Sequence, residues 1–193
     1  MGEVKAPRDA GGHSGLSVEE KRQLLRIARS VIERRVQSKE IPAFQVSSES
    51  LKEERGLFVT LHKGSALRGC IGYIQGIKPL YLAVAEMAEA AAFQDPRFPP
   101  VSPEELQDLK LEISVLTPLH KIREVSEIQV GTHGIYIVRG SQSGLLLPQV
   151  ATEYGWDRTS FLQQTCLKAG LPPEAWQDPQ CELFVFSADI FSE

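Results

Sequence analysis

Apolar positions recur along this chain with two different periods. Between Ser17 and Ile41 they recur every three or four residues, which predicts an amphipathic helix. Ser17 with Glu20 three residues later is typical of a helix N-terminus, and Ile41-Pro42 is expected to end the helix. A second, alanine-rich helix is predicted for residues 79–93, with Pro79 in its first turn.

Alternation of apolar and polar residues predicts strands in other segments. Residues 56–62 and 67–74 flank a Lys-Gly-Ser turn, so we expect them to pair as a hairpin. Residues 109–115 are expected to form a half-buried strand. Residues 134–139 and 145–147 are expected to pair as a second hairpin, and residues 183–186 are expected to form the last strand of the fold.

The order of these elements favours one fold class. Helices and strands do not alternate as in a Rossmann or barrel fold, and hairpins supply most of the predicted pairings. We therefore predict an α+β fold with largely antiparallel sheets and packed helices. Residues 17–193 are expected to form a single domain, preceded by a flexible, glycine-rich tail over residues 1–16.

Composition narrows the class of protein. Of the 193 residues, 42% are hydrophobic, which excludes a disordered chain. No apolar run approaches the roughly 18 residues that a membrane-spanning helix needs, and the first residues lack the apolar core of a signal peptide. The three cysteines are widely spaced and odd in number, so they indicate free thiols rather than disulfides. We expect a soluble, cytoplasmic protein.

Charge is distributed unevenly. Residues 17–40 carry seven basic and four acidic side chains, a balance of +3, whereas the whole chain carries -4. Because the first sixteen residues are balanced, residues 41–193 carry the remaining -7. No aromatic residue lies among the bases to stack on nucleotides. This pattern indicates a solvated helix face and argues against a nucleic acid partner.

The segment Leu-Arg-Gly-Cys-Ile-Gly, residues 67–72, is unusual for a strand. Two glycines weaken a strand and are typical of a bulge or of close approach by another backbone or a ligand. Alternation places Arg68, Cys70 and Gly72 on one face unless a bulge intervenes. That face could bind a small molecule or peptide, with Cys70 at its floor. Alternatively, Cys70 is a small core residue and Arg68 a structural anchor.

Six motifs follow one another in the order found in the AMMECR domain family, whose prokaryotic members are called protein A of the AmmeMemoRadiSam system. The chain is identified as a member of that family by these motifs, which are LRGCIGYI, DPRFPP, LEISVL, THGIYI, LLLPQVATEYGW and FLQQTCLKAGL. The resemblance covers about residues 18–191 and implies a larger and a smaller subdomain. It also implies a genomic association with a Memo-like protein and a radical S-adenosylmethionine enzyme, and it brings no assigned activity.

The resemblance supplies candidate site residues. Its motifs match at positions whose side chains or backbone could bind a ligand, namely Arg68, Gly69, Gly72, Asp95 and Arg97. They also match at Cys70, Glu112 and His133, which have the residue types of a nucleophile, an orienting acid and a base. Each has a simpler alternative: Asp95 could cap its proline-rich loop, and His133 could belong to a surface turn. Glu112 could form a structural ion pair with Arg68 or Arg97.

Two functions follow from these residues. The first is an accessory module that binds a small molecule, a peptide or a partner protein around residues 68–72, in association with the Memo-like and radical enzymes. The second is an enzyme that uses Cys70 as its nucleophile, supported by His133 and Glu112. Because the sequence lacks short-range ligand pairs such as CxxC or HxxxH, we assign no metal and no cofactor.

Overall fold

The structure is a computed structural model that describes residues 15–193. It confirms the predicted α+β class with antiparallel sheets. In chain order its helices and strands are α1 Val18–Val36, β1 Leu57–Lys63, β2 Ala66–Tyr73, α2 Leu80–Phe93, β3 Leu109–Leu116, β4 His120–Lys121, β5 Gly134–Arg139, β6 Gln142–Leu146, α3 Pro148–Glu153, α4 Arg158–Lys168, β7 Glu182–Phe186 and β8 Ala188–Ser192. Short 3₁₀ helices lie at Ser50–Lys52, Pro103–Glu105, Val125–Glu127 and Ala175–Gln177.

The larger subdomain is a four-stranded sheet, in the order β2-β1-β3-β8, with α1 and α2 on one face. Alternate residues of β1 and β3 point at the two helices and are fully buried there. The sequence pattern predicted this alternation. Packing the apolar side chains against the helices removes most of their area from water. These buried strand residues are Leu57, Val59, Leu61, Leu111, Ile113 and Val115.

Helix α1 begins where the capping pattern predicted. The Ser17 hydroxyl accepts the Glu20 N–H at 3.3 Å, and the Glu20 carboxylate accepts the Ser17 N–H at 2.7 Å. The helix ends at Val36, five residues before the expected stop at Ile41, because Ser38 adopts a left-handed conformation with φ 55°. The predicted polar face is solvated, and the apolar stripe packs in the larger core.

The smaller subdomain is a second antiparallel sheet, in the order β4-β7-β5-β6, with α3 and α4 packed against it. Its core includes Ile135, Ile137, Phe161 and the buried free thiol of Cys166. The predicted second hairpin is present, but its turn is shorter than expected. Strand β6 begins at Gln142 rather than Leu145. The sequence pattern did not predict its first half because no large apolar residue lies there.

Residues 183–186 form a strand as predicted, within β7, but the expectation that this strand is the last one is wrong. After Ser187 alone, the chain enters β8, which leaves the second sheet and pairs with β3 of the first. The sequence pattern did not predict β8 because polar residues interrupt its apolar positions. One of them, Asp189, forms an ion pair with Lys21 at 2.6 Å. As a result the smaller subdomain, from about residue 117 to residue 187, lies between two strands that are neighbours in the larger sheet.

Two sequence expectations concern the chain as a whole. Within residues 15–193, no helix has the length and hydropathy that crossing a membrane requires. The expected flexible tail, residues 1–16, lies outside the described residues apart from Gly15 and Leu16. Leu16 is buried in the larger core, and its N–H donates to the Asp189 carboxylate at 3.2 Å.

Candidate functional site

The unusual segment, residues 67–72, lies in β2, at one edge of the larger sheet. Gly69 faces α2 at very close range: a Cβ there would lie 2.2 Å from the Ala91 carbonyl oxygen. Gly72 faces the other way, and a Cβ would lie 2.4 Å from the Phe58 ring. Close packing therefore accounts for both glycines without a ligand, and whether either also binds one stays a prediction.

A β-bulge interrupts the pairing of β1 with β2. Leu61 pairs with Gly69 and His62 with Leu67, so Arg68 is the extra residue without a partner on β1. Beyond the bulge the alternation holds as predicted, because Cys70 lies opposite Thr60 on the face away from the helices. Arg68 itself is redirected by the bulge toward the loop that follows α2.

Arg68 is an anchor for that loop. Its Nε and Nη2 atoms each donate to the Glu105 carboxylate at 2.9 Å, and Nη2 also donates to the Pro99 carbonyl at 2.9 Å. Arg68 is 8% exposed, and its Nη1 has no hydrogen-bond partner among residues 15–193. This two-point pair lowers the pKa of Glu105 to about 2 and raises that of Arg68.

Asp95 binds the same strand from the same loop. Its buried carboxylate accepts the Cys70 N–H at 2.9 Å, the Arg97 N–H at 3.1 Å, and the Arg97 Nε and Nη2 at 2.9 and 2.7 Å. Chiefly the Arg97 guanidinium holds the pKa of Asp95 far below its usual range. Arg97 Nη2 also donates to the Cys70 carbonyl at 3.2 Å, so both outward backbone groups of Cys70 are satisfied.

Cys70, Thr60 and Glu112 form a row across three adjacent strands, on the face away from the helices. Thr60 is the cross-strand partner of both Cys70 and Glu112. The N–H and C=O of Cys70 point away from β1, so the Thr60–Cys70 pair is of the non-hydrogen-bonded kind, in which side chains lie closest. The Thr60 hydroxyl accordingly donates to Cys70 Sγ at 3.3 Å. We call these three residues the Cys70 row.

Glu112 forms no ion pair within residues 15–193. Its suggested pairing with Arg68 or Arg97 is not seen, because those arginines are engaged by Glu105 and Asp95 instead. The Glu112 side chain is half-buried, and on β3 it lies on the polar face that alternation predicted. It therefore keeps its carboxylate available beside Thr60.

His133 lies in the other subdomain. It precedes β5, and its Nδ1 accepts the Gln129 N–H at 3.3 Å within a turn. Its side chain lines a cavity of about 230 Å³ together with His120 and Glu127, and neither Cys70 nor Glu112 lines that cavity. Thus the structure brings Cys70 and Glu112 into one row and leaves His133 apart from them. Among the described residues, no cluster of three or more His, Cys, Asp or Glu side chains could hold a metal ion.

A larger cavity, of about 560 Å³, lies where the two sheets turn their helix-free faces toward each other. We call it the inter-sheet cleft. Ile74 and Leu116 line it from the larger sheet, and Tyr136 and Phe184 from the smaller one. Buried Arg55 also lines it.

Sequence reasoning missed several residues of these sites. Thr60 could have been found, since the predicted hairpin register places a polar residue of β1 opposite Cys70. Glu105 is not among the expected site residues. Besides pairing with Arg68, its carboxylate accepts the Ser102 N–H at 3.1 Å as part of a capping box. Arg55 carried no signal, because it follows two acids in a polar loop and its hydrogen-bond partner, Leu116, lies 61 residues away in the chain.

Comparison with known proteins identifies relatives that share nearly the whole chain. The family model AMMECR1 matches residues 25–191. Protein MK0488 of Methanopyrus kandleri is 47% identical over 187 residues, covering 92% of this chain and 90% of that protein. A protein of Methanothermobacter thermautotrophicus is 47% identical over 188 residues, covering 94% and 98%.

A solved structure has the same fold. The crystal structure of the uncharacterized protein PH0010 from Pyrococcus horikoshii matches with a TM-score of 0.83 and 44% identity, covering 88% of this chain and 89% of that one. These matches confirm the resemblance that the six motifs indicated. The chain therefore belongs to the AMMECR1 family.

Proposed function

We propose that this protein is an accessory binding module, and that a partner protein contacts it at the Cys70 row. The observation that carries the proposal is the row itself. A half-buried thiol and a half-buried carboxylate that forms no ion pair among residues 15–193 flank the hydroxyl of Thr60, which is 8% exposed, on the sheet face opposite α1 and α2. The partners that family membership suggests are a Memo-like protein and a radical S-adenosylmethionine enzyme.

The strand that carries Cys70 is held unusually firmly for an edge strand. Asp95 and Arg97 take up its outward N–H and C=O groups, and Arg68 ties the preceding bulge to Glu105. Side chains that are already held in place lose little conformational entropy when a partner binds. A fixed edge also resists pairing with a foreign strand, so contact is directed to the face of the sheet rather than its edge.

The enzyme alternative, with Cys70 as nucleophile, has weaker support. A thiol becomes a strong nucleophile when a base or a cation beside it favours the thiolate. Within residues 15–193 the hydrogen-bond partner of the Cys70 sulfur is the Thr60 hydroxyl, a donor that cannot act as a base at neutral pH. The nearby cation, Arg97, is already paired with the Asp95 carboxylate. His133, the candidate base, lines a different cavity in the smaller subdomain.

The test measures binding and activity separately. The purified Memo-like and radical S-adenosylmethionine proteins from the same organism are titrated into the wild type, Cys70→Ala, Glu112→Gln and the control Glu153→Gln by isothermal calorimetry. Glu153 is exposed on α3, in the other subdomain. We expect at least one protein to bind, with at least tenfold weaker binding for Cys70→Ala and Glu112→Gln and unchanged binding for Glu153→Gln.

Two outcomes would overturn the proposal. The first is that neither protein binds, or that the variants in the Cys70 row bind as well as the wild type. The second is that Cys70→Ala keeps full binding while an activity of the mixture disappears, a result that would favour the enzyme alternative.

A further inference from the structure

The inter-sheet cleft is separate from the Cys70 row, although both lie on the helix-free face of the larger sheet. Along that face, the row containing Thr60 and Cys70 is followed by the pair Phe58–Gly72 and then by Ile74 and Leu116 at the cleft. The cleft volume of about 560 Å³ lies within the range of small-molecule sites. An inference about the cleft therefore does not rest on the function proposed for the Cys70 row.

Arg55 is the unusual residue of this cleft. It is 7% exposed, and it forms no ion pair within residues 15–193. Its Nε donates to the Leu116 carbonyl at 3.3 Å, and its two terminal nitrogens have no hydrogen-bond partner among these residues. Arg68, equally buried, has its own carboxylate in Glu105.

Arg55 is buried without an ion-pair partner of its own among residues 15–193. Burial is the main influence on its pKa and lowers it, although the charges of Glu53 and Asp189 partly oppose that shift, whereas the pKa of Arg68 is raised by Glu105. A bound oxyanion would supply the missing partner, because a guanidinium presents paired N–H donors that match two oxygens.

The walls of the cleft select the kind of anion. Tyr136 and Phe184 lie on the same face of the smaller sheet with ring centroids 5.9 Å apart, opposite the aliphatic Leu116 and Ile74. Two carboxylates also line the cleft, Glu54 and Glu182, and Glu182 is already paired with Lys121. With Glu54 at the wall, a ligand of one negative charge is favoured over a multiply charged phosphate.

We propose that the inter-sheet cleft binds a small organic carboxylate, with its oxygens on the Arg55 guanidinium and its apolar body between the Leu116 side and the Tyr136–Phe184 side. Such a ligand joins the two subdomains, because its carboxylate is held from the larger sheet and its body from the smaller one.

The test uses defined probes. 3-Phenylpropionate, its neutral amide 3-phenylpropionamide, and phenyl phosphate are titrated into ¹⁵N,¹³C-labelled wild-type protein, and chemical shifts are followed by NMR. We expect 3-phenylpropionate to bind saturably, with intermolecular NOEs from its ring to Tyr136 and Phe184. The amide should bind at least tenfold more weakly, as should phenyl phosphate.

Variants test the role of Arg55. Arg55→Met keeps the length and removes the charge, and we expect at least tenfold weaker binding of 3-phenylpropionate. Arg22→Met is the matched control, because Arg22 is exposed on α1, on the far side of the larger sheet. If Arg55→Met does not fold, the proposal is tested by the NOEs in the wild type and by the ratio of its affinities for 3-phenylpropionate and 3-phenylpropionamide.

Three results would overturn the proposal: no saturable binding of 3-phenylpropionate, equal binding of the amide, or NOEs to residues outside the cleft. Tighter binding of phenyl phosphate than of the carboxylate would overturn the assigned ligand class.

Discussion

The buried carboxylate of Asp95 accepts the backbone N–H of Cys70 at 2.9 Å, across 25 residues of sequence. An acidic side chain from a loop thus occupies the place that a neighbouring strand would take at the edge of the sheet. Arg97 completes the substitution by donating to the Cys70 carbonyl at 3.2 Å. Unpaired backbone groups at a sheet edge can pair with another chain. Asp95 and Arg97 prevent this at Cys70 by taking up its N–H and C=O groups.

Replacing Asp95 tests this edge closure. Asp95→Asn removes the charge that binds Arg97 and turns one acceptor oxygen into a donor, so at least one of the four hydrogen bonds is lost. We expect the free energy of unfolding, measured by urea denaturation at pH 7, to fall by about 2 kcal/mol. Asp108→Asn, at an exposed position, is the control and should change it by less than about 0.5 kcal/mol. Equal effects of the two substitutions would argue against the closure.

The Arg68–Glu105 pair predicts a loss of stability in acid. The pKa of Glu105 is about 2 in the folded protein against 4.5 for the ordinary side chain, so folding favours its charged form. Its contribution to stability is therefore complete above about pH 4.5 and is lost as the pH falls from there to about 2. We expect the unfolding free energy of the wild type to drop more between pH 5 and pH 2.5 than that of Glu105→Gln.

The comparison of these two proteins by urea denaturation removes the contribution of Asp95, which titrates in both. Glu153→Gln should show the full drop of the wild type. An identical drop in Glu105→Gln would mean that the pair contributes nothing to the acid sensitivity.

The contact between Gly69 and α2 predicts intolerance of a side chain. In Gly69→Ala the new methyl group would lie 2.2 Å from the Ala91 carbonyl oxygen, which belongs to the backbone and cannot rotate away. We expect a loss of about 3 kcal/mol in the free energy of unfolding, at the upper end of overpacking effects. Gly15→Ala is the matched control, because its methyl group would meet only Asp189, at 3.4 Å. A near-neutral Gly69→Ala would show that helix and strand can separate without cost.

The three thiols should differ in reactivity. Cys70 is half-buried, whereas Cys166 is fully buried and burial raises its pKa. Cys181 is half-buried, and burial raises its pKa as well. We expect iodoacetamide at pH 7.5 to label Cys70 first and Cys166 at least 100-fold more slowly than in urea-unfolded protein, as measured by peptide mass spectrometry. Labelling of Cys166 or Cys181 ahead of Cys70 would contradict this order.

The parts of the fold that the sequence predicts correctly depend on local patterns. The cap of α1 is set by Ser17 and Glu20, and the first hairpin by alternation on both sides of one turn, so each could be found within a short window. Strand β8 could not, because its pairing partner β3 lies some 76 residues earlier in the chain and its charged residue Asp189 pairs with Lys21 of α1.

The candidate site divides in the same way. Alternation correctly placed Cys70 and Gly72 on the face opposite Gly69, and the two glycines indicated a bulge, but the sequence pattern could not assign that bulge to Arg68. Shared motifs placed His133 among the candidates, but motifs do not measure distance, and the turn before β5 belongs to the other sheet. Arg55 could be recognised as a candidate only from the structure, where it is buried and donates to the Leu116 carbonyl.

The return of β8 to the larger sheet has a consequence for synthesis. The larger sheet cannot gain its fourth strand until residues 188–192 have left the ribosome, by which time the whole smaller subdomain is already outside. Asp189, which binds Lys21 and the Leu16 N–H, arrives with that strand. Until β8 emerges, strand β3 of the larger sheet therefore keeps an open edge, and the arrival of β8 closes it.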